Sequence, residues 1–365
     1  MKKLNLFSPI SSLGYGVVGL NILKSLSSKL DVSLTLIGNI EATPQDVDLV
    51  QHCIDKATLF DGFSEAPCLK IWHEFALHER IGKGPSFAFP FFEINKFDQR
   101  RINHLKSVDG IIVASQWAKN VIKEHINSPP ALISVIPLGV DSTIFEKGPH
   151  QTTDKCVFFN CGKWEKRKGH DILLEMFKAA FPQEMDVELW MMSSNPFLSE
   201  ATGFNKVRLE WERYYQSDPR VKLISRVGTH AEVAQIMSQT NCGIFPSRAE
   251  GWNLELLEMM AMGKQVIATN YSAHTEFCNE KNAKLIEIAD LEKAEDGLFF
   301  DGSSGEWASL EGNPFSQGVE HMRNFYEEWK KDRNQYNTEG IKTAEHLTWD
   351  RTAQNIEDTI YGNQS

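Results

Sequence analysis

"CGIFPSRAEGWNLELLEMMAMGKQVIAT" (242–269) opens on an apolar run, 242–247, and closes on another, 265–269, with a helical pattern over 253–262 between them. Two short apolar strands joined through a helix pair in parallel, because antiparallel neighbours need only a tight turn. Gly251 lets the chain turn into the helix. A helix between such strands normally fills its inner face with Leu, Val and Ala. Here Glu250 stands at its mouth, and Glu258 shares the side of Leu254 and Met262 by i±4 spacing.

The same grammar extends in both directions. Downstream of residue 155 come strands 156–162, 187–193 and 221–225, alternating with helices 169–180, 203–216 and 229–239. Upstream, strands are expected at 3–8, 32–38, 68–73, 86–92, 110–115 and 133–138, with helices at 17–29, 96–106 and 116–126. The polar, turn-rich stretch 139–155 reads as a linker. The fold class is therefore α/β, with two doubly wound Rossmann-like domains, and such sheets bind ligands at the carboxyl ends of their strands. Segments 313–335 and 348–362 read as packing helices. The stretch 296–312 reads as an insertion without an assigned role.

Bulk properties narrow the class. A chain of 365 residues, 41% hydrophobic and 24% charged, fits two ordinary globular domains. No apolar run reaches the ~20 residues of a membrane span. The start "MKKLNLFSPI" suits a first strand better than a signal peptide. The six cysteines lack metal spacing and suggest reduced thiols and a cytoplasmic location. A net charge of −11 argues against coating a nucleic acid but leaves room for one local basic pocket.

Several groups could carry chemistry. After the first strand, Gly14, Gly16 and Gly19 permit close backbone approach, either for a ligand at the following helix or only for a tight strand-to-helix turn. No acidic residue follows the second strand, so a nicotinamide fingerprint is incomplete. In "NCGKWEKRKGHD" (160–171), Lys163, Lys166, Arg167 and Lys168 sit between a strand end and a helix start, where a pyrophosphate would bind; the alternative is a solvated charged face. Glu258 could accept both hydroxyls of a ribose, and the amides of Trp252, Asn253 and Leu254 could face a phosphate. The plainer reading makes Glu250 a dipole partner of the helix and pairs Glu258 with a lysine. His73 and Glu74 follow a first-domain strand, with no second metal ligand at helical spacing.

Together these pieces resemble the retaining GT-B glycosyltransferases of glycosyltransferase family 4, the "glycosyl transferases group 1" type. The resemblance runs through the Gly loop at 14–16, "WHE" (72–74), "ASQWAKNVI" (114–122), "VIPLGVD" (135–141), "GKWEKRKG" (162–169), "PSRAEGWNLELLEMMAMGKQVIAT" (246–269) and "TWD" (348–350). It implies two Rossmann-like domains facing a central cleft: 1–148 on the acceptor side, 149–340 on the nucleotide-sugar side, and 341–365 packing back on the first.

It also implies roles. Lys163, Arg167 and Lys168 would serve the donor diphosphate, with Gly14 and Gly16 letting the loop approach it. Glu258 would hold the ribose, Glu250 the donor sugar, and His73 a sugar hydroxyl at the reacting face; His73, Glu250 and Lys168 would be the catalytic set. Lys163 stands where relatives carry Arg and loses the fork geometry. Asn253 stands where they carry a second glycine, and is expected to tighten the loop over the phosphates.

The implied activity is metal-independent transfer of a sugar from a UDP- or GDP-sugar to an acceptor hydroxyl, without a cofactor. The acceptor would be a glycan or glycoconjugate. The alternatives are a hydroxylated base of modified phage DNA, or a non-catalytic sugar-nucleotide binder.

Overall fold

Six parallel strands build the first sheet of this computed structural model, which describes residues 1–58, 62–126, 130, 132–148 and 154–362. They are β1 (Lys3–Ser8), β2 (Asp31–Leu36), β3 (Cys68–Lys70), β4 (Ser86–Ala88), β5 (Gly110–Val113) and β6 (Leu132–Val135), in the order β2-β1-β3-β4-β5-β6. Helices α1 (Gly14–Ser27), α2 (Val47–Thr58), α3 (Gln99–Leu105) and α4 (Gln116–His125) lie between them. Strand β5, "GIIV", is buried at every position, as a strand covered on both faces must be.

The second sheet holds β7 (Cys156–Gly162), β8 (Val187–Ser193), β9 (Val221–Leu223), β10 (Cys242–Phe245), β11 (Gln265–Thr269) and β12 (Lys284–Ile286). Its order is β12-β11-β10-β7-β8-β9, again all parallel. Helices α5 (His170–Ala180), α6 (Asn205–Gln216), α7 (His230–Ser238) and α8 (Leu254–Ala261) connect the strands. Phe158, Phe177, Phe181, Leu189, Ile244 and Phe325 belong to its apolar core. In each sheet the order reverses beside the first strand: between β1 and β3, and between β7 and β10. At such a reversal neighbouring connections diverge and leave a crevice at the carboxyl ends.

The chain forms two units, Met1–Gly139 with Leu347–Ser365, and Val140–His346. The switch between them thus falls between 139 and 140 rather than between 148 and 149. The return falls between 346 and 347 rather than between 340 and 341. Residues 149–153 of the polar stretch lie outside the described residues. Segment 338–346, which sequence patterning left unassigned, is the short helix α10 (Thr338–His346), after α9 (Asn313–Lys331), and it packs on α8. The last helix, α11 (Trp349–Tyr361), lies against α1, where Lys29 Nζ donates to Gln354 across 3.0 Å. Gly139 meets this segment so closely that a Cβ would lie 2.2 Å from the Trp349 nitrogen.

Three further features escaped the sequence reading. Helix α2 buries only Val50 and Cys53, too narrow a stripe to stand out. The three-residue strand β12 is too short to show a pattern. Segment 296–312 is part of an antiparallel hairpin, β13 (Leu291–Glu295) and β14 (Asp301–Ala308), whose polar and largely exposed residues hid its strands. All six cysteines are free, and among the described residues no helix is long and apolar enough to cross a membrane.

Candidate active site

The carboxyl ends of β7 and β10 converge on one buried ionic cluster in the second unit. After β7 the chain makes a short 3-10 turn, Lys166–Lys168, and closes it at Gly169 in the left-handed region (φ 74°) before entering α5. A Cβ at Gly169 would lie 2.1 Å from the Pro246 carbonyl oxygen, so glycine is required where the two loops touch. Gly162, with φ 146°, lets the stem of Lys168 cross over it; a Cβ there would sit 2.7 Å from that stem.

Glu250 is the hub of the cluster. Its Oε1 accepts from Lys168 Nζ at 2.9 Å and from Ser247 Oγ at 2.8 Å, while Oε2 accepts from Arg167 Nη1 at 2.8 Å. Arg167 also clamps Glu165 through Nη2 at 2.6 Å and Nε at 3.1 Å, and Lys163 Nζ reaches Glu165 at 2.9 Å. Burial alone would raise the Glu250 carboxyl; Lys168 and Arg167 outweigh it and hold that group far below its usual range. Burial opposes ionisation of Glu165 too, and Arg167 and Lys163 bring it down to about 2. Three cations therefore face two carboxylates, and the surplus positive charge lies at the strand end. Lys163 is the more exposed cation of the three, at 37% of its side chain.

These bonds correct two expectations. Arg167 is committed to the protein's own carboxylates and the Ala249 carbonyl, so it builds the site's frame rather than offering an open fork. Lys166 turns away and donates to the Glu295 carbonyl of the hairpin at 3.1 Å. The hairpin has a structural role here. Glu292 of β13 binds Arg248 Nε at 2.6 Å, and Arg248 in turn holds Asp171 at 2.6 and 2.9 Å and the Lys166 carbonyl at 2.6 Å.

Helix α8 begins from Asn253, which takes the left-handed conformation (φ 89°). Asn253 and Ser272 (φ 54°) are the non-glycine residues at positive φ among the described residues, and both touch this site. Asn253 thus holds a conformation that a glycine adopts freely. What asparagine adds is its side chain: Oδ1 caps the helix by accepting from Leu256 N at 3.2 Å, and Nδ2 reaches His274 Nε2 at 2.9 Å. His274 Nδ1 lies 3.0 Å from the Thr269 carbonyl and must donate to it, leaving Nε2 as the acceptor for Asn253. Burial holds His274 neutral, with its pKa lowered to about 4. Ser272 Oγ accepts the Glu250 amide at 2.8 Å. His170, lowered by burial to about 3, ties Asn160 (2.9 Å) to the Glu165 amide (3.3 Å) in the same manner.

Glu258 differs from every other acid in the site. It is 8% exposed, and its carboxyl has no hydrogen-bond or ionic partner among the described residues. Burial, with Glu255 nearby, raises it well above the usual range. The lysine partner considered from sequence is absent there. Both glutamates and Lys168 are near enough to act electrostatically on Cys161 at the end of β7. Trp252 is likewise buried with an unpartnered indole N–H, packed on Phe277 at 4.7 Å. The first-turn amide of Leu254 has no acceptor within the helix, as at any helix start. Among the described residues no three His, Cys, Asp or Glu side chains gather to hold a metal ion.

The remaining candidates lie in the first unit. Gly14 and Gly16 fall inside the first turn of α1 rather than in a loop. A Cβ at Gly16 would lie 2.2 Å from Ser11, which is the tight-turn requirement, whereas Gly14 is exposed with open space beside it. His73, just after β3, stacks on Phe75 at 4.9 Å and packs against Tyr15 at 4.7 Å. The structure thus gathers Lys163, Arg167, Lys168, Glu250, Trp252, Asn253, Leu254 and Glu258 in one place, and Gly14, Gly16 and His73 in another. Sequence reasoning missed Glu165, His170, Asp171, Arg248, Ser272 and His274. The readable signal was position: polar residues just past the carboxyl ends of β7, β10 and β11.

Comparison with known proteins follows this geometry. Residues 155–298 match the family profile described as Glycosyl transferases group 1. The chain is 25% identical over 218 residues to the MMP alpha-(1->4)-mannosyltransferase of Mycolicibacterium hassiacum, covering 56% of this chain and 46% of that one. The chain spans less than half the length of the curated relatives it matches. Among solved structures, sucrose-phosphate synthase from Thermosynechococcus elongatus superposes with TM-score 0.68 at 14% identity, over 100% of this chain and 99% of that one. The Anabaena protein HepE, solved in complex with UDP, superposes with TM-score 0.67 at 15% identity, over 99% and 100%. The fold is that of the GT-B glycosyltransferases, and the match to the group 1 profile lies within the second unit.

Proposed function

We propose that this chain is a retaining, metal-independent glycosyltransferase of family 4, moving a sugar from a nucleoside-diphosphate donor to the hydroxyl of a glycan or glycoconjugate. One observation carries the reading: the buried carboxyl of Glu258 lacks a hydrogen-bond partner among the described residues, and it and Lys168 both act electrostatically on Cys161 at the end of β7. A buried acid without a donor is costly. A ribose offers two adjacent hydroxyls, which matches two carboxylate oxygens. The match to the group 1 profile over the same residues and the UDP complex of HepE support this reading.

The chemistry follows from the charges. As the bond between the sugar's anomeric carbon and the diphosphate breaks, negative charge grows on the leaving oxygen. Lys163, Lys168 and the first amides of α8 stabilise that charge, and they are already in place before the reaction. Glu250, held ionised by Lys168 and Arg167, keeps one lone pair with which to accept a donor-sugar hydroxyl. The acceptor oxygen forms its bond to the anomeric carbon on the face the diphosphate leaves, and its proton passes to the departing phosphate oxygen.

The test is turnover of a panel of UDP- and GDP-sugars, read as nucleoside diphosphate release with and without EDTA. One donor is expected to turn over equally in both, to give a product of retained anomeric configuration by NMR, and to lose turnover in Glu258→Gln and Lys168→Met. An inverted product, or release that ignores both substitutions, overturns the reading.

A further inference from the structure

We propose that the β13–β14 hairpin is a strut that holds the cationic turn Lys166–Lys168 in place for the donor diphosphate, with Arg248 and Glu292 as positioning residues; this rests on the glycosyl-transfer reading. The hairpin is stiff enough to serve. Its strands are anchored by Ala294 and Trp307, both fully buried, and Trp307 packs edge-on against Phe300 at 4.9 Å. At its tip, Asp296 Oδ1 accepts three successive amides, those of Leu298, Phe299 and Phe300, at 2.9, 2.8 and 2.9 Å. One carboxylate oxygen thus sets the backbone of the whole tip.

Arg248 joins this hairpin to the turn. Its Nε donates to Glu292 at 2.6 Å and its carbonyl accepts the Ala308 amide at 3.0 Å, so both strands hold it. On the other side, Nη1 donates to the Lys166 carbonyl at 2.6 Å, and the Arg248 amide donates to the Arg167 carbonyl at 2.6 Å. Asp171, in the first turn of α5, accepts from Nη1 and Nη2 at 2.6 and 2.9 Å. Arg248 is 4% exposed, and four of its five guanidinium N–H groups are spent on the protein. It therefore acts through the turn rather than on a ligand. Two further ties reach neighbouring cations. Lys166 Nζ donates to the Glu295 carbonyl, and Phe299 at the tip meets Phe197 at 6.2 Å, with Lys163 Nζ 5.6 Å from the Phe197 ring.

Such a turn gains from outside support. Its own backbone bonds run from the Lys168 amide to the Glu165 carbonyl at 3.2 Å and from the Gly169 amide to the Lys166 carbonyl at 2.9 Å. Short 3-10 turns have poor hydrogen-bond geometry and hold their shape weakly. A peptide carbonyl rotated toward a diphosphate would repel it. With the carbonyls of Lys166 and Arg167 fixed on Arg248, the turn cannot swing them toward the anion, and Lys168 stays where Glu250 holds it. The tie is invisible in the sequence because Arg248 and Glu292 stand 44 residues apart.

The test pairs two measurements on the whole chain. Calorimetric titration with UDP and GDP, beside ligand-observed NMR of uridine and guanosine, gives the ratio of diphosphate to nucleoside affinity. Hydrogen exchange of the unliganded chain follows the amides of residues 163–170. Glu292→Ala is expected to weaken the preferred diphosphate roughly 3- to 10-fold, leave its nucleoside unchanged, and speed exchange in that segment. Glu292→Gln keeps an acceptor for Arg248 and should stay within about twofold of the parent. Arg248→Lys keeps the charge but not the fork, and should lose at least as much as Glu292→Ala; it decides by the same ratio if Glu292→Ala does not fold. Equal losses of diphosphate and nucleoside would show a merely structural hairpin. That result, an unchanged diphosphate affinity, or unchanged exchange at 163–170 overturns the strut. A parent chain that binds neither diphosphate more tightly than its nucleoside overturns the glycosyl-transfer reading instead, and the exchange result still decides whether the hairpin holds the turn.

Discussion

Asn253 and His274 meet across 2.9 Å, a hydrogen bond that ties the left-handed start of helix α8 to the short turn after β11. It fixes the imidazole tautomer, and the same turn carries Ser272, which receives the Glu250 amide. The orientation of the site's central carboxylate thus depends on two residues held in uncommon backbone conformations.

Replacing Asn253 separates backbone strain from side-chain bonding. Asn253→Ala combines left-handed strain with loss of the cap and is expected to cost about 2–3 kcal/mol. Asn253→Gly keeps the conformation and should cost less than about 1 kcal/mol. Urea unfolding of both variants measures the difference, and equal losses would contradict this account of the loop.

Glu258 should weaken stability while serving binding. Its folded pKa is raised, so the folded state holds its proton more tightly than the unfolded chain. Stability from this group is present at low pH and is lost as pH rises from the unfolded value of ~4.3 toward the folded one. Glu258→Gln should therefore match the parent near pH 4, melt higher at pH 7, and yet lose UDP affinity. Thermal melts across that range, with and without UDP, check both halves. A variant less stable at pH 7 would show that Glu258 has a partner in the folded chain.

The buried histidines act in the other direction. His170 and His274 are lowered to about 3 and about 4. The unfolded chain then binds more protons below ~6.5, and stability falls as pH drops from there toward about 4, by about 1.4 kcal/mol per pH unit for each group inside its window. Glu74, raised by burial to about 7, opposes part of this loss. Comparing His274→Gln with the parent between pH 7 and 5 isolates one histidine; the variant's acid slope should be shallower.

Arg167 and Lys163 divide frame from function. Arg167→Ala leaves Glu165 and Glu250 buried beside a missing charge and should cost roughly 3–5 kcal/mol. Lys163→Ala, at the exposed end of the same cluster, should cost under about 1 kcal/mol. It should nevertheless weaken UDP roughly 10- to 100-fold, the value of one charge-assisted hydrogen bond. Calorimetric UDP titration with melting curves reads both quantities.

Much of this was legible in the sequence because parallel strands are apolar throughout and punctuated by helices. The stretch 242–269 carries that pattern undiluted and located Glu250 and Glu258, while the strand-to-helix passage at 160–171 located the lysine turn. What stayed hidden depends on partners distant in sequence. Arg167 looked like one more phosphate ligand among its neighbours, because its partner Glu250 lies 83 residues away. His274 and Ser272 sit in an ordinary polar turn, and only the path of the chain brings them beneath Glu250. The hairpin β13–β14 mixes charged residues, serines and glycines with few apolar ones, so no periodicity announced it.

A crystal structure of the chain soaked with UDP tests the central claim most directly. The account places the diphosphate against Lys163, Lys168 and the first amides of α8, with both ribose hydroxyls on Glu258. Density for UDP away from residues 163–168 and 250–258, or a bound ribose that leaves Glu258 untouched, would contradict it.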